Sequence, residues 1–200
     1  MRKLPHNLED FIDYFIVSVI DIISPLLKKL NFTPNILTTI GVLFAGASAY
    51  YFIQNNYKLA GILLFISYFF DCADGHFARK YNMVTEFGDY YDHIADIIKY
   101  TVIFGLLFYT LYMNNSIELI IIIIIMMVLT NMHLGCQEKY VDFTNKGICS
   151  PSLSIVKKLC NAELKTEVEN MLSYSSYCGN GTFILILCLI IYNLPRIIIK

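Results

Sequence analysis

Charge is scarce in this chain: Asp, Glu, Lys and Arg together make up 16% of its 200 residues, against about a quarter in an ordinary soluble domain. The two signs nearly balance at a net charge of −1, and no basic patch of the kind that binds phosphate backbones is present, so nucleic acid is excluded as a partner. Metal-finger spacing is missing too. The six cysteines, at 72, 136, 149, 160, 178 and 188, form no CxxC pair, and they read as small apolar fillers in a reduced protein. The N-terminus MRKLPHNLED lacks the apolar core and small-residue cleavage site of a signal peptide.

What the chain has instead is apolar mass. A hydrophobic content of 56% and a mean hydropathy of +0.57 place it among integral membrane proteins. A spanning helix needs about 20 mainly apolar residues. Such runs occur at 36–53, 59–70, 94–113 and 117–132, and a fifth at 183–194 is extended by 197–199 beyond a proline. The second run is short if it stops at Asp71, so it is expected to continue into the polar stretch that follows, and the third to begin inside it. The expected fold is an all-α polytopic membrane helical bundle of five to six transmembrane helices. One domain, 1–200, divides into an N-terminal tail and interfacial helix (1–34), a four-helix core (35–134), a polar, peripheral segment (135–181) and a last membrane helix (182–200).

In the segment NLEDFIDYFIVSVIDIISPLLKK, Asp10, Asp13, Asp21, Ser24 and Lys28 fall near one line when wound at a helical period. Three aspartates argue against a span, since each costs about 2.5 to 3.5 kcal/mol at the bilayer centre. The segment reads as an interfacial amphipathic helix whose polar stripe faces water or a neighbouring polar surface. A second amphipathic helix is expected over 153–172, using Val156, Leu159, Leu164, Val168 and Met171. When four spans alternate, Lys28, Lys29, Arg79, Lys80 and the lysines from 139 to 165 fall on one side, and only Lys58 on the other. Basic residues favour the cytoplasm, so the polar stretch between spans two and three is expected to face it.

That stretch, DCADGHFARKYNMVTEFGDYYDHIAD, holds six of the chain's sixteen carboxylates between Asp71 and Asp96. Asp71 and Asp74 are three positions apart and Asp92 and Asp96 four, so each pair projects from one helix face. The connection between them is short, and the four carboxylates are expected to converge. Held together near a membrane, they need protons or cations. An all-oxygen set suits Mg2+, Mn2+ or Ca2+ over zinc or copper. Two such ions would clamp a diphosphate. Gly75 and Ala78 remove bulk where a ligand could approach the backbone, and Arg79 offers a planar cation for phosphate oxygens.

The same residues resemble the signature of the CDP-alcohol phosphotransferase (phosphatidyltransferase) family, D-x2-D-G-x2-A-R-x8-G-x3-D-x3-D, at every fixed position: Asp71, Asp74, Gly75, Ala78, Arg79, Gly88, Asp92 and Asp96. The run from Thr33 through Pro34 and Asn35 to Thr38 is also similar to the family, and the likeness covers about residues 5 to 115. The resemblance implies transfer of a phosphatidyl or phospho-alcohol group from CDP-diacylglycerol or a CDP-aminoalcohol to an alcohol hydroxyl, with release of CMP and with two divalent cations, Mg2+ or Mn2+. It implies that Asp71, Asp74, Asp92 and Asp96 are metal ligands and that Asp96 takes the acceptor's proton. It implies further that Gly75, Ala78, Arg79, Thr85 and Gly88 hold the CDP moiety, that Pro34 and Asn35 border the cytidine, and that the protein is a homodimer. Two other readings stay open: a membrane prenyltransferase with an Asp-rich diphosphate site, and a catalytically inactive or divalent-cation-binding homologue. Outside the signature, Asp89 reads as a solvated helix-end residue, His76 and His133 as interfacial side chains, and Lys99, one turn past Asp96, as either snorkelling or reaching a substrate phosphate, with snorkelling the expectation.

Overall fold

The computed structural model describes residues 4–144 and 155–198. Among the described residues eight α-helices succeed one another: α1 (Phe11–Lys29), α2 (Pro34–Ile53), α3 (Tyr57–Lys80), α4 (Glu86–Met113), α5 (Ile117–Thr144), α6 (Lys165–Tyr174), α7 (Asn180–Tyr192) and α8 (Leu194–Ile198). Polar side chains start α1 to α4. Asp10 accepts the backbone N–H groups of Ile12 and Asp13 at 2.9 and 3.1 Å. Thr33 caps α2 just before Pro34, whose missing N–H has no partner to lose there. Asparagines then reverse the chain: Asn31, Asn55, Asn82 and Asn115 take φ values of 53 to 59°, one beyond the end of each of α1 to α4. Asparagine tolerates this left-handed conformation better than bulkier residues do, which permits the tight connections.

Helices α2, α3, α4 and α5 are each long and apolar enough to cross a membrane. As expected, α3 runs unbroken through Asp71 and Asp74 to Lys80, and α4 starts at Glu86, before Asp92. The α7 helix is apolar but has 13 residues, about 20 Å at the α-helical rise. The chain breaks at Asn193 before the short α8, so the fifth apolar run is two helices rather than one.

The α3 helix sits at the centre, packed on α1, α2 and α7, while α4 packs on α2 and α5. Small residues let α2 and α3 approach: Ser48 Oγ donates to Ala60 O and Ser67 Oγ to Gly41 O, each at 2.8 Å. Large apolar side chains such as Leu43, Ile62, Ile97, Ile121 and Val128 point outward, as lipid contact requires.

The polar stripe of α1 faces protein. Asp21 meets His76 and Lys80, each at 2.8 Å, Asp13 accepts from Tyr68, and Asp10 accepts from Thr182 at 2.5 Å. The exposed face of α1 is apolar, with Phe11, Phe15, Ile22 and Leu26 on it. Of the two surroundings expected for the stripe, the neighbouring polar surface is the one found. His76 is therefore buried against α1, not interfacial, because Asp21 supplies the partner that makes burial tolerable.

The helix expected over 153–172 begins outside the described residues and is not continuous. A single 3₁₀ turn, Val156–Leu159, is followed by extended backbone at Cys160, and α6 starts only at Lys165. The Glu167 carboxylate accepts the backbone N–H groups of Glu163 and Leu164, fixing that later start. Val168 is buried, but Leu159 and Leu164 are exposed. Cys160 is disulfide-bonded to Cys136 on α5, so these two are not free fillers. Cys72, Cys178 and Cys188 are free thiols, and Cys149 lies outside the described residues.

Candidate active site

The last three turns of α3, the first three of α4 and the start of α2 meet at one end of the bundle. Their helical spacing does what the sequence demands of it. One carboxylate oxygen from each of Asp71, Asp92 and Asp96 lies within 4.8 Å of the other two. Asp74 stands beside this trio as the electrostatic neighbour of Asp92 and Asp71. It is buried, and Thr38 Oγ1 on α2 donates to its Oδ2. So three of the four signature aspartates form the cluster itself, and the fourth lies next to it, accepting from α2.

Like charges this close need a counter-charge. Lys99 supplies one. Its Nζ lies 2.5 Å from Asp71 Oδ1 and 2.6 Å from Asp96 Oδ1, and its side chain is 3% exposed. The expectation that Lys99 snorkels is thus overturned: its position one turn beyond Asp96 turns the ammonium inward, where the carboxylates outcompete distant water.

The donor set fits a hard divalent cation. Every candidate ligand is a carboxylate oxygen, and Asp92 Oδ1 is buried without a hydrogen-bond partner. Asp96 Oδ1 has the Lys99 ammonium 2.6 Å away, so Asp92 Oδ1 is the oxygen left without a partner.

Around the cluster, Gly75 leaves space that the Arg79 guanidinium uses: a Cβ at Gly75 would lie 3.3 Å from an Arg79 terminal nitrogen. Arg79 Nε is buried without a hydrogen-bond partner, and Asp74, Glu138 and Glu9 are among its electrostatic neighbours. Ala78 precedes it on α3, half-buried. Thr85 is the N-cap of α4, its Oγ1 accepting the Gly88 N–H at 3.0 Å. A Cβ at Gly88 would meet Thr85 Oγ1 at 3.0 Å and Asn35 Oδ1 at 3.3 Å, so the start of α2, with Pro34 and Asn35, lies against the start of α4. Asp89 sits in the first turn of α4, 17% exposed, with His93 at 3.7 Å. His133 is remote from the cluster and buried, not interfacial, between Ser175 at 2.7 Å and Gln137 at 3.0 Å.

Two residues of this site were not expected to contact the aspartates. Thr38 stood in the Thr-Pro-Asn run, but nothing local says that its hydroxyl reaches Asp74 on another helix. Lys99 carried a usable signal: three positions after Asp96, it shares that residue's helix face.

Outside the membrane-spanning helices, two carboxylates of α1 have displaced pKa values of opposite sign. Burial raises Asp13 to about 7, with the charge of Asp10 adding to it and the Tyr68 hydrogen bond opposing it. Burial also acts to raise Asp21, but hydrogen bonds from Lys80 and His76 and their charges more than reverse this and hold it at about 2.

The sequence profile described as CDP-alcohol phosphatidyltransferase matches residues 31–149. Over 85 residues the chain is 38% identical to an archaetidylinositol phosphate synthase of Pyrococcus horikoshii, a stretch that is 42% of this chain and 45% of that protein. It is 39% identical over 66 residues to a CDP-diacylglycerol–glycerol-3-phosphate 3-phosphatidyltransferase of Rickettsia typhi, covering 32% and 37% of the two chains. It is 29% identical over 93 residues to a protein of the same description from Aquifex aeolicus, covering 46% and 51%. In each case the chain spans about half the relative's length or less. No solved structure matches it.

Proposed function

The chain belongs to the CDP-alcohol phosphatidyltransferase family, and from that premise we propose that it is a membrane transferase of phospholipid synthesis moving a phosphatidyl group from a CDP-linked lipid to an alcohol. The observation that carries the reading is the convergence of Asp71, Asp92 and Asp96 from two helices, with the buried Asp92 Oδ1 left without a hydrogen-bond partner. Relatives named for CDP-diacylglycerol and glycerol 3-phosphate favour CDP-diacylglycerol over a CDP-aminoalcohol as donor.

In the proposed reaction the acceptor oxygen attacks the phosphorus that carries the lipid. A new P–O bond forms, the bond from that phosphorus to the CMP phosphate breaks, and CMP leaves with the electron pair. The hydroxyl proton goes to Asp96. That carboxylate is 29% exposed, more open than Asp71 at 13%, which suits a base that must come within hydrogen-bond reach of a substrate. Arg79, with its unpartnered Nε, holds a phosphate of the nucleotide. Gly75 and Ala78 admit the diphosphate close to α3, and Thr85, Gly88, Asn35 and Pro34 border the nucleotide where α2 and α4 begin. Asp71, Asp74, Asp92 and Asp96 would hold two Mg2+ or Mn2+ ions, which would supply positive charge for the diphosphate and the leaving phosphate. The site faces the cytoplasm in this reading, because basic residues gather at its end of the bundle, and the protein works as a homodimer in its bilayer.

The test uses purified protein with Mn2+ or Mg2+, CDP-diacylglycerol, and separately glycerol 3-phosphate, inositol, serine, choline and ethanolamine. Release of CMP with one acceptor supports the proposal and names the product. Absence of CMP with all acceptors and with a CDP-aminoalcohol, or turnover of a prenyl diphosphate instead, rejects it.

A further inference from the structure

We propose that Lys99 is a tethered internal cation that bridges Asp71 and Asp96 and competes with divalent ions for those carboxylates, so that it sets the metal affinity of the site. The proposal rests on reading the acidic cluster as a divalent-ion site. Three observations carry it. The Lys99 ammonium contacts one oxygen of each carboxylate, at 2.5 and 2.6 Å. Asp71 and Asp96 are two of the three residues whose oxygens converge within 4.8 Å, so ammonium and metal draw on the same groups. The side chain is buried, and a buried ammonium persists only where anions hold it.

The balance of charge gives the direction. One ammonium faces Asp71 and Asp96 directly, with Asp92 completing the trio, so it relieves their repulsion without neutralising it. The cluster is left anionic and receptive to a further cation. A divalent ion binding Asp71 and Asp96 has to displace the ammonium from its bridge or bind against its charge, and in either case Lys99 opposes entry. The flexible four-carbon stem allows the head to move, and the Tyr100 ring stands 5.8 Å from Nζ. Lys99 thus acts through the carboxylates as a positioning residue. Its cation keeps Asp71 and Asp96 gathered before metal arrives and tempers how tightly metal is then held.

The two parts of this role have opposite signatures. Mn2+ binding is measured by titration calorimetry on detergent-purified protein without nucleotide, alongside the thermal midpoint of the metal-free form, for wild type, Lys99→Met and Lys99→Arg. The expected result for Lys99→Met is a lower metal-free midpoint together with Mn2+ affinity roughly ten-fold or more tighter, as loss of a nearby like charge predicts. Lys99→Arg keeps the charge and is expected to stay within about two-fold of wild type on the same grounds. Equal or weaker Mn2+ binding by Lys99→Met overturns the proposal, since a purely structural lysine would lower the midpoint alone. Tightening of similar size in Lys99→Arg also overturns it. Should Lys99→Met not survive without metal, it is kept in Mn2+ and the EDTA concentration that strips the ion is compared with wild type. A lower requirement overturns the proposal and a higher one supports it. Wild-type protein that binds no Mn2+ overturns the metal-site reading itself, whereas binding that is indifferent to residue 99 overturns only the role of Lys99.

Discussion

A carboxylate buried in a membrane-crossing helix must find a donor, and Asp74 finds Thr38 on the neighbouring helix. Thr38→Val keeps the shape and removes the hydroxyl, so it is expected to destabilise the protein by about 1 to 3 kcal/mol. The measurement is the thermal midpoint in detergent, with Thr38→Ser restoring most of the loss. At the proposed base, Asp96→Asn preserves size but cannot take a proton. CMP release is expected to fall by roughly a hundred- to ten-thousand-fold while the protein still inserts, and undiminished turnover would remove Asp96 from the reaction. The signature aspartates were legible because their spacing of three and four is itself a statement about helix faces. The Thr38 contact was not, because it joins residues 36 positions apart through a packing angle that no local pattern encodes. Lys99 lies between these cases: its register pointed inward, but whether a lysine turns toward water or toward anions depends on what the opposite helix presents.

At the scale of the element, α1 is a helix whose polar stripe was readable and whose direction was not. Apolar residues on its other face satisfy lipid, and the aspartates satisfy α3 and α7, so the usual inside-out sense of amphipathicity is reversed. This burial has a pH signature. The folded protein holds Asp13 protonated up to about pH 7, whereas the unfolded chain releases that proton near 3.8. Folding therefore takes up a proton in this window, and stability from this group is greatest below about pH 4, declines toward pH 7 and is level above it. The slope approaches about 1.4 kcal/mol per pH unit. Asp13→Asn is expected to flatten the decline, seen as thermal midpoints that no longer fall between pH 4 and 7; an unchanged slope would exclude Asp13 as its source. Asp21 works the other way. With its pKa held at about 2 by Lys80 and His76 against the opposing effect of burial, its contribution is complete above about pH 4 and is lost as pH falls through 2.

For the molecule as a whole, the asparagine reversals make α2, α3 and α4 a succession of antiparallel crossings, which puts Gln54 and Val84 at opposite ends of the bundle. Both are exposed. In sealed vesicles of known orientation, an impermeant maleimide is expected to label Gln54→Cys and Val84→Cys from opposite faces, with Val84→Cys reached from the cytoplasmic one, each compared with unsubstituted protein. Labelling of both from one face would break the hairpin order. Labelling in the inverse sense would keep the fold and reverse the orientation drawn from the basic residues. The pairing of Cys136 with Cys160 belongs to this scale as well. It arises where the chain folds back onto α5, and neither cysteine carries a local motif that announces the other.

By itself the sequence determined what local periodicity and composition can carry: a helical membrane protein, the register of each aspartate pair, and a signature specific enough to place the chain in its family. The tertiary structure alone decided which surfaces meet. It set Asp74 against Thr38 and closed Lys99 onto Asp71 and Asp96. It also turned α1's acids inward and split the segment after α5. The physical reason is that a helix face is fixed by residues three and four apart, whereas the partner of that face is fixed by packing between segments far apart in the chain, where a buried charge goes to the nearest group able to compensate it.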